Sequence, residues 1–565
     1  MLADSGKNTL LLGVPMLLFP SVRPFPGRGA MIVLVSLGLS SPLSLGGFPN
    51  AVAAQTSVAL RSQAGAFSQA VEEAAAIDPA IAGFYRDKGY AAFWTDPTQA
   101  DRRAALLSAF SGAGAHGLPG RRYDPQNLTD AFAAARTEGD RGRLEVMMSL
   151  ALLDYARDLQ TGALVPARVV PGIVRGVPLR DRRANLEAFA TSDPMTFLMS
   201  LAPKSPAYAQ LMKAKFRLEA IVERGGWGAP VGARELKPGT NGANLVALRD
   251  RLAAMGYLMR SAAASYDASI QKAVQAFQAD HGLQPDGIAN PETMAQINVA
   301  PEARLKSVIV AMERERWMNS DRGKRHIWVN LTDFTAKIID NGKVTFATRA
   351  VVGSAKDDKN TPEFSDEMTY MEVNPDWTVP GGIIKRDYLP KLQANPNALG
   401  HLQLVDRRGK VVPRGAVNFA NYSAGNFPFN LRQPPGKSNA LGRVKFMFPN
   451  PYAIYLHDTP EKHLFARESR AYSSGCVRLN DPMDFAYELL SRQEADPKTV
   501  FDTVLNRGKQ ERISLKTPVP VHLVYFTAFP DAKGAIQYRR DMYGRDAAIF
   551  AALEKAGVVL ASVRR

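Results

Sequence analysis

The stretch 451–480 holds a cysteine and a histidine whose types could do nucleophilic chemistry together. Cys476 is the single cysteine among 565 residues, and His457 is one of seven histidines. A thiol with an ordinary pKa of about 8.5 is only partly ionised at neutral pH, so it needs a base or a cation beside it to act as a nucleophile. His457 is the candidate base, and Gly475, directly before the thiol, lets backbone N–H groups turn towards a ligand.

A structural interpretation of the same residues has to be weighed first. A lone cysteine is more often a small buried hydrophobic residue, and a lone histidine near a strand end is more often a hydrogen-bonded structural residue. Four features together favour catalysis: the spacing from His457 to Cys476, the glycine, the arginine at Arg478 and the run His-Asp-Thr-Pro at 457–460. Arg478 could favour the thiolate or hold Ser473 and the loop. A salt bridge that only braces the loop is the other interpretation.

A strand has to carry the histidine. In 452–457 the aliphatic residues Ile454 and Leu456 alternate with Tyr455 and His457, which is typical of a strand with one face on the core. His457 is therefore expected opposite the core-facing aliphatics, at a strand end where loops carry chemistry.

Further strands are predicted by alternation around the site. Apolar residues alternate from His326 to Leu331, and Asn341-Gly342 predicts a hairpin turn into 344–352. Asp481 is expected to cap a helix that has a proline at its first position. Other strand signals occur at 370–373, 444–448, 519–529 and 535–538.

The motif around Cys476 resembles the active site of the L,D-transpeptidases, whose YkuD-type catalytic domain cross-links bacterial peptidoglycan. The family pattern is a histidine, a spacer of a dozen or more residues, and then Ser/Thr-x-Gly-Cys-hydrophobic-Asn/Arg. Here His457 and fifteen intervening residues precede the run SSGCVR at 473–478. Many members have a histidine directly before the glycine. This chain has Ser474 there, as the large multi-domain branch of the family commonly does.

The resemblance implies a covalent mechanism. Cys476 would attack the peptide bond after meso-diaminopimelate in a tetrapeptide stem, release D-Ala and form a thioester, which the side-chain amine of a second stem would resolve as a 3→3 cross-link. His457 would donate and accept the proton, oriented by the backbone carbonyl of Asp458. The N–H groups of Ser474, Gly475 and Cys476 would form the oxyanion hole. Substrate contacts are expected from Arg478, Ser473, Tyr455 and Trp377.

The amino-acid composition argues against a bound cofactor and favours an anionic partner. A single cysteine excludes a disulfide framework and a cysteine-rich zinc site, and the scattered histidines contain no His-Glu-x-x-His, so no metal or other cofactor is expected. The net charge of +16 favours an anionic partner. The export signal and the lack of a nucleic-acid motif favour the carboxylates of peptidoglycan over nucleic acid. A basic soluble surface without a specific partner is the alternative.

The N-terminus has the layout of a secretory signal. Basic residues precede an apolar run at 31–45, and small residues at 51–54 suit a cleavage site, with Met31 as an alternative start. Residues 1–54 are therefore predicted to be a signal-peptide region. The chain is expected in the periplasm or cell envelope, and an uncleaved membrane anchor is the alternative.

The resemblance covers most of the chain and predicts an α+β multi-domain protein. A segment at about 381–438, rich in Gly, Pro and Asn, is expected to be a lid over the Cys476 site, with a peripheral insertion as the alternative. The expected parts are a helical scaffold domain at 56–235, a three-helix peptidoglycan-binding domain at 236–299, a linker helix at 300–323, a mainly-β catalytic domain with the capping insertion at 324–545 and a C-terminal helix or tail at 546–565.

The expected function is therefore an L,D-transpeptidase of cell-wall biogenesis and cell shape, with carbapenems as acylating inhibitors. Peptidoglycan stems would be donor and acceptor, and other wall-synthesis enzymes are expected as further partners. Two alternatives use the same nucleophile, namely an L,D-carboxypeptidase and an acyltransferase that anchors lipoproteins. A wall-binding structural protein is the alternative outside enzymes.

Overall fold

A computed structural model describes residues 65–356 and 359–560. The predicted signal region therefore lies outside the described residues. Within the described ranges, none of the helices is both long enough and apolar enough to cross a membrane.

The first third of the described chain is helical, as predicted. Prolines at the first turn and acidic or hydroxyl caps start most of these helices; Asp78, for example, accepts the N–H of Ala80. After helical residues 65–75 come the helices Pro79–Asp87, Ala100–Ser111, Pro125–Ala134, Glu138–Thr161, Pro166–Val169, Arg182–Thr191, Pro194–Ser200 and Pro206–Glu223.

The helix Pro301–Trp317, here the central helix, is more than the linker that was predicted. Its expected apolar face, which includes Leu305 and Met312, is buried. Charged residues on its other faces are buried as well, because the helix packs on Pro206–Glu223 and also on the C-terminal helix Arg545–Ala556. Apolar residues of the scaffold helices, the central helix and the C-terminal helix form one hydrophobic core.

A small three-helix unit precedes the central helix, as predicted. Its helices are Ala243–Met255, Ala268–Asp280 and Pro291–Ile297. The leucines and the phenylalanine that were expected to point inwards, such as Leu248 and Phe277, are buried in a core of its own.

A nine-stranded sheet forms the centre of the C-terminal part. The strands of the described residues are β1 Arg325–Asn330, β2 Thr335–Asp340, β3 Lys343–Gly353, β4 Phe364–Val373, β5 Trp377–Thr378, β6 Gln403–Val405, β7 Asn430–Gln433, β8 Val444–Met447, β9 Leu456–His457, β10 Ala471–Ser473, β11 Val477–Leu479, β12 Glu511–Val524, β13 Ala528–Pro530 and β14 Ile536–Tyr538. The order of the sheet is β10-β3-β11-β9-β8-β4-β12-β1-β2, and β2 also pairs with β3, so the sheet closes on itself. The helices Pro482–Leu490 and Pro497–Asn506 follow β11, and Phe485 and Phe501 belong to the core of this sheet.

Three local predictions need correction. The Asn341-Gly342 turn has positive φ at both residues and joins β2 to β3, so the hairpin into 344–352 starts from β2 and not from the alternating run that begins at His326, as was predicted. In β2 only Ala336 and Ile338 are buried, a pattern too short to stand out in the sequence. β9 is shorter than expected because Ala453 has a φ of +54°, which interrupts extended backbone. The helix Pro482–Leu490 begins as predicted, but the Asp481 carboxylate does not cap it and accepts the Thr348 hydroxyl at 2.8 Å.

The insertion between β5 and β8 is a folded subdomain with its own core. Strand signals were expected to stop at 380 and resume at 444, yet β5, β7 and β6 form a three-stranded sheet there. These strands are two to four residues long, too short for alternation to be visible in sequence. Buried residues such as Trp377, Leu392, Phe419 and Leu431 hold the insertion together.

Candidate active site

Two neighbouring strands bring four of the predicted site residues onto one face. β9 and β11 run parallel, with Leu456 opposite Val477 and His457 opposite Arg478. Leu456 and Val477 are fully buried in the core, so the residues that alternate with them lie on the other face. Those residues are Tyr455, His457, Cys476 and Arg478, and all four line a cavity of about 580 Å³.

The histidine is held in one tautomer. His457 is only 4% exposed, and its Nδ1 lies 2.5 Å from the backbone oxygen of Asp458. A carbonyl oxygen can only accept, so Nδ1 carries the proton and Nε2 keeps its lone pair. The Asp458 carboxylate is fixed in turn by the N–H of Arg443 and by Lys462, both at 2.9 Å. Gly442 permits this approach, because a Cβ there would lie 2.3 Å from that carboxylate.

Burial favours the neutral form of both the His457 imidazole and the Cys476 thiol. Burial and, to a smaller extent, the cation of Arg478 lower the pKa of His457 to about 3. Burial also raises the pKa of the Cys476 thiol above its ordinary value. A weakly basic imidazole cannot hold the proton of a weakly acidic thiol in the resting state. The two pKa shifts therefore favour a resting pair in which the thiol and the imidazole are both neutral over a preformed thiolate–imidazolium pair.

This arrangement predicts the pH dependence of thiol reactivity. Because the thiol pKa is raised, the thiolate fraction should grow about tenfold for each pH unit between about pH 6 and pH 8. We expect the rate of iodoacetamide alkylation of Cys476 to follow that slope without a plateau, measured by intact mass against free cysteine as the reference. A plateau that begins below about pH 6 would contradict the account, since it would indicate a stable ion pair.

Two aromatic side chains, Tyr455 and Trp377, line the same cavity as the thiol. Burial raises the pKa of Tyr455, and the neighbouring Cys476 thiol raises it as well. The Tyr455 ring meets the imidazole of His457 edge-on, with 5.6 Å between ring centroids. The thiol itself lies 3.6 Å from the backbone oxygen of Ala453. Tyr455 and Trp377 thus line the cavity where substrate contacts were predicted.

The cysteine loop is stabilised from within by Ser473. Its hydroxyl accepts the N–H of Gly475 at 3.1 Å and donates to the backbone oxygen of Cys476 at 2.5 Å. Ser473 is only 3% exposed, so the substrate contact expected from it stays a prediction. Gly475 has a φ of +125°, a conformation that favours glycine. Since its N–H is engaged inside the loop, the N–H groups of Ser474 and Cys476 are the remaining candidates for the oxyanion hole.

The surroundings of Arg478 are compatible with both interpretations of its role, and its part in the chemistry stays a prediction. Its guanidinium forms an ion pair with Glu461, the brace that sequence alone allowed. It also lines the cavity, and its charge lowers the pKa of His457 and of the Cys476 thiol. Within the part of the chain that the structure describes, its Nε is buried without a hydrogen-bond partner.

The insertion walls the cavity opposite the sheet. Trp377, Ile383, Tyr388 and Leu441 line the same space as Cys476. The segment therefore lies where a lid was expected, and its opening and closing stay a prediction. His401 of the insertion also lines the cavity. Its place in the cavity was not predicted from the sequence, because an isolated histidine in a Gly- and Pro-rich stretch carries no spacing signal.

Comparison with known proteins identifies the parts of the chain. Residues 324–521 match the family model of the L,D-transpeptidase catalytic domain, YkuD. Residues 79–214 match the scaffold domain, and residues 241–297 match a family described as "Putative peptidoglycan binding domain". The chain therefore carries the catalytic domain of the L,D-transpeptidase family together with these two accessory domains. The predicted resemblance and the α+β multi-domain fold class are confirmed, while the predicted domain boundaries stay predictions.

One curated protein and two solved structures are similar to parts of the chain. A protein of Haemophilus influenzae named "Putative L,D-transpeptidase" is 34% identical over 222 residues, which is 39% of this chain and 44% of that protein. The chain thus matches less than half the length of this curated relative. Crystal structures of L,D-transpeptidases from Xylanimonas cellulosilytica and Stackebrandtia nassauensis are 15% and 16% identical, with TM-scores of 0.16 and 0.21. Each match covers 52% of this chain, and 100% and 97% of those chains respectively.

Proposed function

We propose that this protein is an L,D-transpeptidase that forms 3→3 cross-links in peptidoglycan through a thioester on Cys476. The observation that carries the proposal is the shared face of β9 and β11. It places the single thiol and a histidine with an unprotonated Nε2 in one cavity. The family of the catalytic domain gives the substrate class, and the geometry supports the roles of the residues.

The first half-reaction acylates the enzyme. The Cys476 sulfur attacks the carbonyl carbon of meso-diaminopimelate in a tetrapeptide stem, and the thiol proton passes to Nε2 of His457. The negative charge on the carbonyl oxygen is stabilised by the N–H of Cys476, with that of Ser474 as the second candidate. The C–N bond then breaks, His457 gives its proton to the leaving amine, and D-Ala departs while the thioester remains.

The second half-reaction transfers the acyl group. The side-chain amine of a second stem's diaminopimelate attacks the thioester, and His457 takes the proton that the amine loses. The C–S bond breaks, the proton returns to sulfur, and the new amide is the cross-link. Because the thioester retains the energy of the original peptide bond, no nucleotide is consumed. The walls formed by the insertion limit the access of water to the thioester.

The charge of the cavity suits the proposed substrate. Stem peptides carry free carboxylates, and the cavity is lined by the cations Lys359, Arg386 and Arg478 against the anions Asp387 and Glu461. Arg478 is the best-placed of these for a stem carboxylate, since it pairs with His457 across β9 and β11 and lines the cavity beside Cys476.

The accessory domains support a location at the cell wall. A peptidoglycan-binding domain beside a transpeptidase domain fits an enzyme that is exported to the envelope and retained on its polymeric substrate. We therefore propose a periplasmic or envelope location, and a part in wall biogenesis and cell shape. Other wall-synthesis enzymes are proposed as further partners.

Incubation with purified disaccharide-tetrapeptide tests the proposal. We expect mass analysis to show free D-Ala and a dimer with a 3→3 bond, both absent in a Cys476→Ala control. Tripeptide without dimer would assign the chain to L,D-carboxypeptidases instead, because water would then be the acceptor. If neither product forms while the protein still sediments with purified sacculi, the chain is a wall-binding protein and the proposal is wrong.

A further inference from the structure

One buried hydroxyl outside the predicted site touches the cysteine loop. Thr361 is fully buried and lies three residues before β4. Its Oγ1 donates to the backbone oxygen of Gly475 at 2.7 Å and accepts the N–H of Gly353 at 2.9 Å. Its hydroxyl therefore joins the end of β3 to the residue directly before the nucleophile.

This contact fixes the direction of a particular N–H group. The carbonyl of Gly475 and the N–H of Cys476 belong to one planar trans peptide unit, in which the two groups point in opposite directions. When the Gly475 oxygen is drawn to Thr361, the Cys476 N–H is turned to the opposite side. The next peptide unit is fixed too, since its oxygen accepts Ser473 at 2.5 Å and its N–H donates to the Tyr455 oxygen at 3.1 Å.

We propose that Thr361 is a positioning residue that aims the N–H of Cys476 as the main donor of the oxyanion hole. The inference rests on the proposed acyl-transfer function. It also gives the hole one fixed donor, which is needed because the Gly475 N–H is engaged by Ser473. A donor that is already oriented before the reaction stabilises developing charge without the cost of reorganisation.

A buried charge network holds Thr361 in place. Nη2 of Arg545 donates to the Thr361 backbone oxygen at 2.7 Å, and Nη1 pairs with Glu363 at 3.0 Å. Arg314 of the central helix binds the other oxygen of Glu363 at 2.5 Å. Buried charges are costly unless they are paired and hydrogen-bonded, and these are. The hydroxyl of Tyr543 donates to the Gly353 oxygen at 2.5 Å. Residues of the C-terminal run 543–546 therefore bind both Gly353 and Thr361, the two residues linked by the Thr361 hydroxyl.

Two reagents distinguish an effect on the oxyanion hole from an effect on the reactivity of the thiol. p-Nitrophenyl acetate acylates a thiol through a tetrahedral oxyanion, forming an S-acetyl group and releasing p-nitrophenolate. Iodoacetamide alkylates the same sulfur by displacing iodide and forms no oxyanion. A residue that acts only through the oxyanion hole should therefore change the rate of acylation by p-nitrophenyl acetate and leave the rate of alkylation by iodoacetamide unchanged. Neither reagent depends on the natural substrate, so the test stands even if disaccharide-tetrapeptide is not turned over.

The substitution Thr361→Val keeps the shape and removes the hydroxyl. We expect the rate of acylation by p-nitrophenyl acetate to fall at least about tenfold. Complete removal of one oxyanion-hole donor typically costs about 10²- to 10³-fold, and here the donor remains but is no longer held in place. The iodoacetamide rate should stay within about twofold of wild type across the pH range, and Thr361→Ser should restore acylation. Thr348→Val is the matched control, because it removes another buried hydroxyl bond, to Asp481, away from the cavity.

Each other result overturns the inference. If Thr361→Val acylates at the wild-type rate, the hydroxyl does not orient the hole. If acylation and alkylation fall together, Thr361 acts on the thiol or on folding of the loop instead. Should Thr361→Val not fold, Thr361→Ala is compared with Thr361→Ser by the same two rates. Equal ratios of acylation to alkylation in those two variants would also refute the role.

Discussion

Replacement of Cys476 by alanine is expected to reduce acyl transfer to the level of the uncatalysed reaction. No other thiol exists in the chain, so no second nucleophile can take over the covalent step. Loss of a nucleophile typically costs about 10⁴- to 10⁶-fold in rate. The measurement is D-Ala release from disaccharide-tetrapeptide, with cross-linked dimer as the second product.

The fold should survive this substitution. Cys476 is partly buried at the edge of the sheet's core, and alanine leaves only a small space there. Thermal unfolding and sacculus binding close to those of the wild type are the controls. A folded Cys476→Ala protein that still releases D-Ala at more than a trace rate would refute the covalent mechanism.

Replacement of His457 by alanine is expected to lower the rate of acyl transfer by at least about 10²-fold, the lower range for loss of a general base. Its Nδ1 is bound to Asp458, so Nε2 is the nitrogen available to take the thiol proton. With the base absent, transfer must rely on the small thiolate fraction, so the residual rate should rise with pH.

His463 provides the matched control. It lies in the same loop, within the short helix Lys462–Ala466, but it is exposed and outside the cavity lining. His463→Ala should therefore retain nearly the wild-type rate. A larger loss in His463→Ala than in His457→Ala would mean that the base is wrongly assigned.

The face of the site could be predicted because alternation in a strand has a fixed geometry. Once Leu456 was taken as a core residue, Tyr455 and His457 had to lie on the opposite face, and both line the cavity. Ile454 precedes the short strand and borders both the core and the cavity, so alternation did not place it correctly. The three-helix unit was equally visible, since its buried leucines repeat at helical spacing.

Contacts across long sequence separations could not be predicted. Thr361 and Gly475 are 114 residues apart, and Arg545 and Thr361 are 184 apart, so no local pattern connects them. The same limit hid the packing of the central helix, which was predicted only as an amphipathic linker. Arg316 is fully buried, and its Nη1 donates to the backbone oxygen of His116, 200 residues away, at 2.7 Å.

The central claim is that a thioester forms on Cys476, and intact mass after rapid acid quenching tests it most directly. Wild-type protein mixed with disaccharide-tetrapeptide should gain the mass of the donor minus that of free D-Ala, and peptide mapping should place the adduct on Cys476. The adduct should disappear when hydroxylamine cleaves thioesters. Product formation without any adduct on Cys476, or an adduct on another residue, would contradict the account.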